Sequence, residues 1–184
     1  MNLTKLPTNL SKLEQDGACN HLLNAIIPEI SLPTQDDNML KLNRSDTFRL
    51  VVFCYPMTGR PDQSLPKNWD MIPGARGCTS QNCSFRDNYD NLIKANALPI
   101  GVTTQSIIDI KEMTNRLIIP YDVLSDQQLL LASALNLPIF SINEKKFLKR
   151  VTLIIEKSVI KNFFYPIFSP NTHINEVLEW LNKN

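Results

Sequence analysis

No apolar run in this chain is long enough to cross a bilayer. The longest, such as Leu129–Leu131 and Val151–Ile155, fall far short of the roughly 20 residues a membrane-spanning helix needs. Charge of one sign is also lacking. Nineteen Lys and Arg are interspersed with 18 Asp and Glu, for a net charge of +1. A nucleic-acid surface would show a basic stripe, so none is expected. So small a net charge allows self-association without demanding it, which leaves a monomer or a weak homodimer. Met1–Gly17 has no basic head followed by an apolar run, so no secretory signal is expected and a reducing cytoplasm is the expected setting. Stable structural disulfides are disfavoured there. The four cysteines form no Cys-x-x-Cys pair, which argues against a thiol–disulfide oxidoreductase. The spacings Cys78-x4-Cys83 and Cys19-x-His21 do not suit structural zinc, so no metal is expected. No internal repeat is present.

What is present reads as one globular domain of 184 residues, with 43% hydrophobic and 20% charged residues. Residues 1–25 read as a polar N-terminal extension that wraps or trails, with short helical turns at Ser11–Gln15 and His21–Ala25. The domain proper is expected over 26–184. Ile26–Leu32, bounded by Pro28 and Pro33, reads as an edge strand or an extended lead-in, and Met39–Leu42 as a short strand. Phe48–Tyr55 is nearly all apolar, as in a strand buried on both faces. A proline- and glycine-rich loop follows over Met57–Gly77, and a loop of that length is usually functional. Helical spacing over Cys78–Asn96 puts Phe85, Tyr89, Leu92 and Ile93 on one face. Then come a strand (Leu98–Val102), a helix (Ser106–Leu117), a strand (Pro120–Leu124), a helix (Gln127–Ala134) and an extended piece (Pro138–Phe140). Leu148–Glu156 and Ser158–Tyr165 form a hairpin whose turn, Lys157-Ser158, lacks the usual Gly or Asn. The last helix starts at Asn171 or Thr172 and buries Ile174, Val177, Leu178 and Leu181. This order predicts an α/β protein with a central mixed β-sheet flanked by helices on both faces, which a thioredoxin-like fold fits.

One stretch carries chemistry. Cys78 stands where the loop of Pro73, Gly74 and Gly77 meets a predicted helix. The partial positive charge of a helix N-terminus favours an anion, so this is a good place to make a thiolate. The plain alternative is that Cys78 and Cys83 are small buried hydrophobes. Cys54, inside the strong strand, reads as core. Cys19, in the mobile N-terminal segment, reads as incidental. His173, near a helix start, reads as surface, and Arg86-Asp87 as a local pair. Phe163, Phe164, Tyr165 and Phe168 read as core packing or a subunit interface.

Four landmarks resemble the peroxiredoxin family, specifically its Q-type (bacterioferritin comigratory) branch. They are Ile27-Pro-Glu-Ile-Ser-Leu32, Leu50-Val-Val-Phe-Cys-Tyr-Pro56, Gly77-Cys-Thr-Ser-Gln-Asn-Cys-Ser-Phe-Arg-Asp87 and Arg150-Val-Thr-Leu-Ile-Ile155. Gly101–Thr104 and Leu124–Asp126 match lesser landmarks in the same order. The resemblance implies a thioredoxin-like fold and a thiol peroxidase that reduces hydrogen peroxide or organic hydroperoxides without metal, haem or flavin. It implies Cys78 as the peroxidatic thiol and Cys83 as the resolving one. Arg150, with Arg76 as a second candidate cation, would stabilise charge. The Gly77 and Cys78 backbone N–H groups and Gln81 would bind substrate; Gln81, one turn after Cys78, would orient the site, with surface exposure as the alternative. By position alone Arg150 could equally be a solvated or salt-bridged arginine. A thioredoxin- or glutaredoxin-type partner would supply electrons.

The sequence departs from the family in three places. Ala75 stands where a peroxide-binding Thr or Ser is expected, and Thr79 or Thr58 is the candidate replacement. Pro73 is displaced, and the 57–77 loop is long. Five residues along a helix put the Cα atoms of Cys78 and Cys83 roughly 8 to 9 Å apart, whereas a disulfide needs less than about 7 Å. A Cys78–Cys83 disulfide therefore requires the helix start to unwind. A non-catalytic redox sensor using the same switch is the alternative function.

Overall fold

The structure, a computed structural model, describes residues 13–44 and 48–184. Its centre is a five-stranded sheet of order β5-β4-β3-β8-β9. The strands are β3 (Arg49–Cys54), β4 (Ala97–Thr103), β5 (Val123–Ser125), β8 (Val151–Glu156) and β9 (Val159–Phe164). β3, β4 and β5 run parallel, and β8 and β9 are antiparallel to their neighbours, so the sheet is mixed. The apolar run read as buried on both faces is central β3, with Val51 against Ile154 on one side and Pro99 on the other.

Alternation along β3 divides the core in two. Val51, Phe53 and Tyr55 face one layer with Phe85, Leu92, Ile110, Val177 and Leu181. These come from α1 (Cys78–Asp87), α2 (Tyr89–Lys94), α3 (Ile107–Leu117) and α5 (His173–Lys183). Leu50, Val52 and Cys54 face the other layer with Cys19, Leu22, Leu32, Leu131 and Leu153. That layer is built from α4 (Leu130–Ala134), the small hairpin β1 (Ser31–Pro33) with β2 (Met39–Lys41), and a 3-10 turn at Asn20–Leu22. Burying each such large apolar side chain stabilises the fold by about 1.5–3 kcal/mol.

Several expectations change. Cys19 and Leu22 are fully buried, so Cys19 is part of the core and, of the two alternatives, the segment around them wraps. It adds a bridge from Ile26 to Val159 at the sheet edge. The turn expected at Ser11–Gln15 lies partly outside the described residues. Of the edge strand or extended lead-in expected over Ile26–Leu32, only Ser31–Pro33 forms a strand, and Ile26 makes a single bridge. The helix expected over Cys78–Asn96 breaks at Asn88, whose φ and ψ of −109° and 15° leave the helical range and whose Nδ2 donates to the Ser84 carbonyl at 3.0 Å. The strand expected over Leu148–Glu156 is two elements. β7 (Lys145–Leu148) pairs with β6 (Ile139–Ile142) in a separate hairpin, and β8 starts at Val151. Both hairpin turns place two residues at positive φ, Asn143-Glu144 at 46° and 65° and Lys157-Ser158 at 47° and 65°. This is the backbone that matches strand twist, and Lys157-Ser158 adopts it without Gly or Asn.

The 57–77 loop is not featureless. Trp69, in a 3-10 turn, is buried with Ala75 and Phe147, and Met57, Leu65, Ile72, Phe140 and Ile142 pack around them. The Trp69 ring meets that of Phe147 edge-on at 5.1 Å. The β6–β7 hairpin is thus the wall against which this loop folds.

Candidate active site

Gly77 caps α1 at φ 99°, a left-handed conformation that glycine adopts without strain. This sharp reversal makes Cys78 the first helical residue. Phe85, two turns on, stacks on Phe53 of β3 at 4.1 Å and fixes the helix against the sheet. Cys78 is thereby nearly closed off, at 2% exposure. Its Sγ donates to the Ala75 carbonyl at 3.6 Å. No carbonyl among the described residues accepts from the Cys78 N–H, as is usual in a first helical turn.

Arg150, in the link between β7 and β8, crosses to this helix start. It is 4% exposed. Its Nη2 lies 3.3 Å from the Cys78 Sγ and donates to the carbonyls of Gly74 at 3.2 Å and Arg76 at 3.0 Å. Its Nη1 donates to the Gln81 Oε1. Among the described residues no carboxylate lies within ion-pair distance of it. Arg150 is thus a buried cation whose described partners are neutral oxygens and the Cys78 sulfur.

Gln81 is neither exposed nor open to substrate. It is fully buried, absent from the recess at Cys78, and holds the guanidinium. Arg76 pairs with Asp70 at 3.2 Å, so its charge is already balanced. Thr58 is spent as well: its hydroxyl donates to the Gln105 Oε1 at 3.0 Å and its N–H to the same oxygen at 2.8 Å. Ala75, fully buried, belongs to the small core around Trp69. Arg86 and Asp87 pair locally at 2.8 Å, as read from the sequence.

The other three cysteines sit in surroundings that favour the neutral thiol. Burial pushes the Cys19 thiol up to about 12 and raises Cys54 further. Cys83, half-buried on α1, is also raised by burial, with Arg86 opposing. Cys78 and Cys83 lie on one unbroken helix and both are free thiols. The first turns of that helix are tied down. Ser80 Oγ donates to Gly77 O at 3.0 Å, Asn82 Nδ2 to Cys78 O at 3.0 Å, and Tyr121 Oη to Asn82 O at 2.8 Å.

Sequence reasoning missed Asn82, Tyr121 and His173. His173 is 1% exposed rather than on the surface. Its Nε2 meets Thr152 Oγ1 at 3.0 Å and its Nδ1 meets Glu176 at 2.9 Å. Only the Glu176 contact, three residues away on the same helix, could have been read from spacing. Among the described residues no cluster of three metal-ligating side chains occurs, and no helix is long and apolar enough to cross a membrane.

Comparison with known proteins adds to this geometry. The profile described as the AhpC/TSA family matches residues 71–162. A putative chloroplastic peroxiredoxin Q of Oryza sativa subsp. indica is 27% identical over 155 residues, covering 84% of this chain and 64% of the rice protein. The chain thus spans less than two thirds of that relative. Peroxiredoxin Bcp of Escherichia coli K12 is 25% identical over 166 residues, covering 86% of this chain and 94% of the relative. Among solved structures, peroxidoxin BcpB of Mycobacterium tuberculosis superposes with a TM-score of 0.72 at 21% identity, over 88% of this chain and 96% of that one. The thioredoxin-like fold of the peroxiredoxin structures is therefore shared.

Proposed function

Because the chain belongs to the AhpC/TSA family, we propose that it is a thiol-dependent peroxidase with Cys78 as its attacking group. The observation that carries this reading is the buried Arg150 guanidinium 3.3 Å from the Cys78 Sγ. The thiolate attacks the terminal oxygen of hydrogen peroxide or an organic hydroperoxide. An S–O bond forms, the O–O bond breaks, and the departing oxygen leaves as hydroxide or alkoxide and takes a proton from water. Cys78 is left as a sulfenic acid. Arg150 and the Cys78 N–H oppose the negative charge that builds on the oxygens. Gly77 shapes the turn that aims the N–H groups, and Gln81 holds Arg150 in place.

Cys83 then resolves the sulfenic acid. Its thiol displaces water from Cys78 to give the disulfide, and this requires the first turns of α1 to open. A dithiol partner of thioredoxin or glutaredoxin type reduces the exposed disulfide by exchange. A reducing compartment, the cytoplasm, suits that cycle.

Steady-state peroxide consumption with a dithiol reductant tests this. Turnover far above that of free thiol, abolished in Cys78→Ser, is expected. Turnover no faster than free thiol would favour a redox sensor instead.

A further inference from the structure

The recess at Cys78 is lined by the apolar side chains of Met57, Leu65, Trp69 and Ala75 together with Arg76 and Thr79. Its cavity volume is about 10 Å³, room for about one water-sized molecule. A peroxide entering there brings a hydroxyl proton that needs an acceptor, and an oxygen that gains negative charge as the O–O bond breaks. Arg150 and the Cys78 N–H are donors only. A group that can both accept and donate is wanted, and the candidates are few. Neither Ser80 nor Thr58 lines this recess.

Thr79 remains. It is the residue after Cys78, it lines the same recess, and it is 4% exposed. Among the described residues its hydroxyl has no hydrogen-bond partner, and it is not one of the fully enclosed polar atoms. We propose that the Thr79 hydroxyl is the peroxide-binding hydroxyl of this site. This rests on the peroxidase reading above. The hydroxyl accepts from the O–H of the bound peroxide, which holds the attacked oxygen over the Cys78 Sγ. Thr79 is unchanged by the reaction: the S–O bond forms, the O–O bond breaks, and the departing oxygen takes its proton from water.

The test uses the full chain with Thr79→Val, which keeps the shape and removes the hydroxyl, and Thr79→Ser, which keeps it. Two rates are measured for Cys78: oxidation by hydrogen peroxide in single turnover, and alkylation by iodoacetamide across pH. Alkylation needs the thiolate but no peroxide hydrogen bond. Thr79→Val should oxidise roughly tenfold more slowly, the scale of one lost neutral hydrogen bond to the bound peroxide. Its alkylation profile should match the parent, and Thr79→Ser should recover most of the oxidation rate. Parental oxidation in Thr79→Val, or an equal loss of alkylation, would overturn the assignment. If the parent chain itself reacts with peroxide no faster than free thiol, the peroxidase reading fails first, and that result is separate from either Thr79 outcome.

Discussion

The Arg150 guanidinium reaches the Cys78 Sγ at 3.3 Å from the link between two hairpins, 72 residues away in sequence. Gln81 and the carbonyls of Gly74 and Arg76 fix its planar fork from other directions. Four contacts on one buried cation define a geometry that a point charge cannot copy.

Arg150→Lys should therefore slow single-turnover oxidation of Cys78 by roughly 10²-fold, the scale of a lost oxyanion contact. Gln81→Met removes one support of the fork and keeps the cation. It should slow the same step less than Arg150→Lys, at a stability cost of about 1.5–3 kcal/mol, the range for a buried hydrogen bond to a charged group. Stopped-flow tryptophan fluorescence is a suitable readout, because Trp69 lines the recess at Cys78.

Tyr121 donates to the Asn82 carbonyl at 2.8 Å from outside α1 and so pins the helix turn that carries Cys83. Tyr121→Phe removes one buried hydrogen bond, worth about 1 kcal/mol. Opening of α1 should then be roughly fivefold easier. Disulfide formation after oxidation should speed up, and mass spectrometry at high peroxide should find less sulfinic acid on Cys78. An unchanged sulfinic fraction would mean that this contact does not control opening.

The stability of the fold should depend on pH through His173. Burial lowers its proton affinity below the ordinary value of 6.5, and Arg150 adds to this, while Glu176 opposes it. The folded state therefore resists protonation that the unfolded chain accepts. Stability should be flat above about pH 6.5 and fall as the pH drops below it, because there the unfolded state binds more protons. Urea midpoints across that range should show this slope, and His173→Gln should flatten it.

Much of the molecule was legible in its sequence. β3 announced itself by an apolar run too continuous for a half-exposed strand. Cys78 was marked by the Gly77 turn and the helix that follows. Arg150 was different: position alone left it ambiguous, and family resemblance singled it out. The features that escaped depend on distant partners. The β6–β7 hairpin has exposed, charged β7 residues, and its backing is the loop around Trp69. His173 is buried because Thr152 of β8 meets it across the core. Cys19 joined the core because its segment packs with Leu22 beneath the sheet, which a polar composition does not reveal.

The most direct measurement places the first oxidation product. In Cys83→Ser the sulfenic acid has no resolving partner on α1 and should persist after one equivalent of hydrogen peroxide. Dimedone labelling followed by peptide mass spectrometry should then find the adduct on Cys78, with Cys19 and Cys54 unmodified. An adduct on Cys19 or Cys54, or no adduct while Cys78 remains a free thiol, would contradict Cys78 as the residue that meets the peroxide.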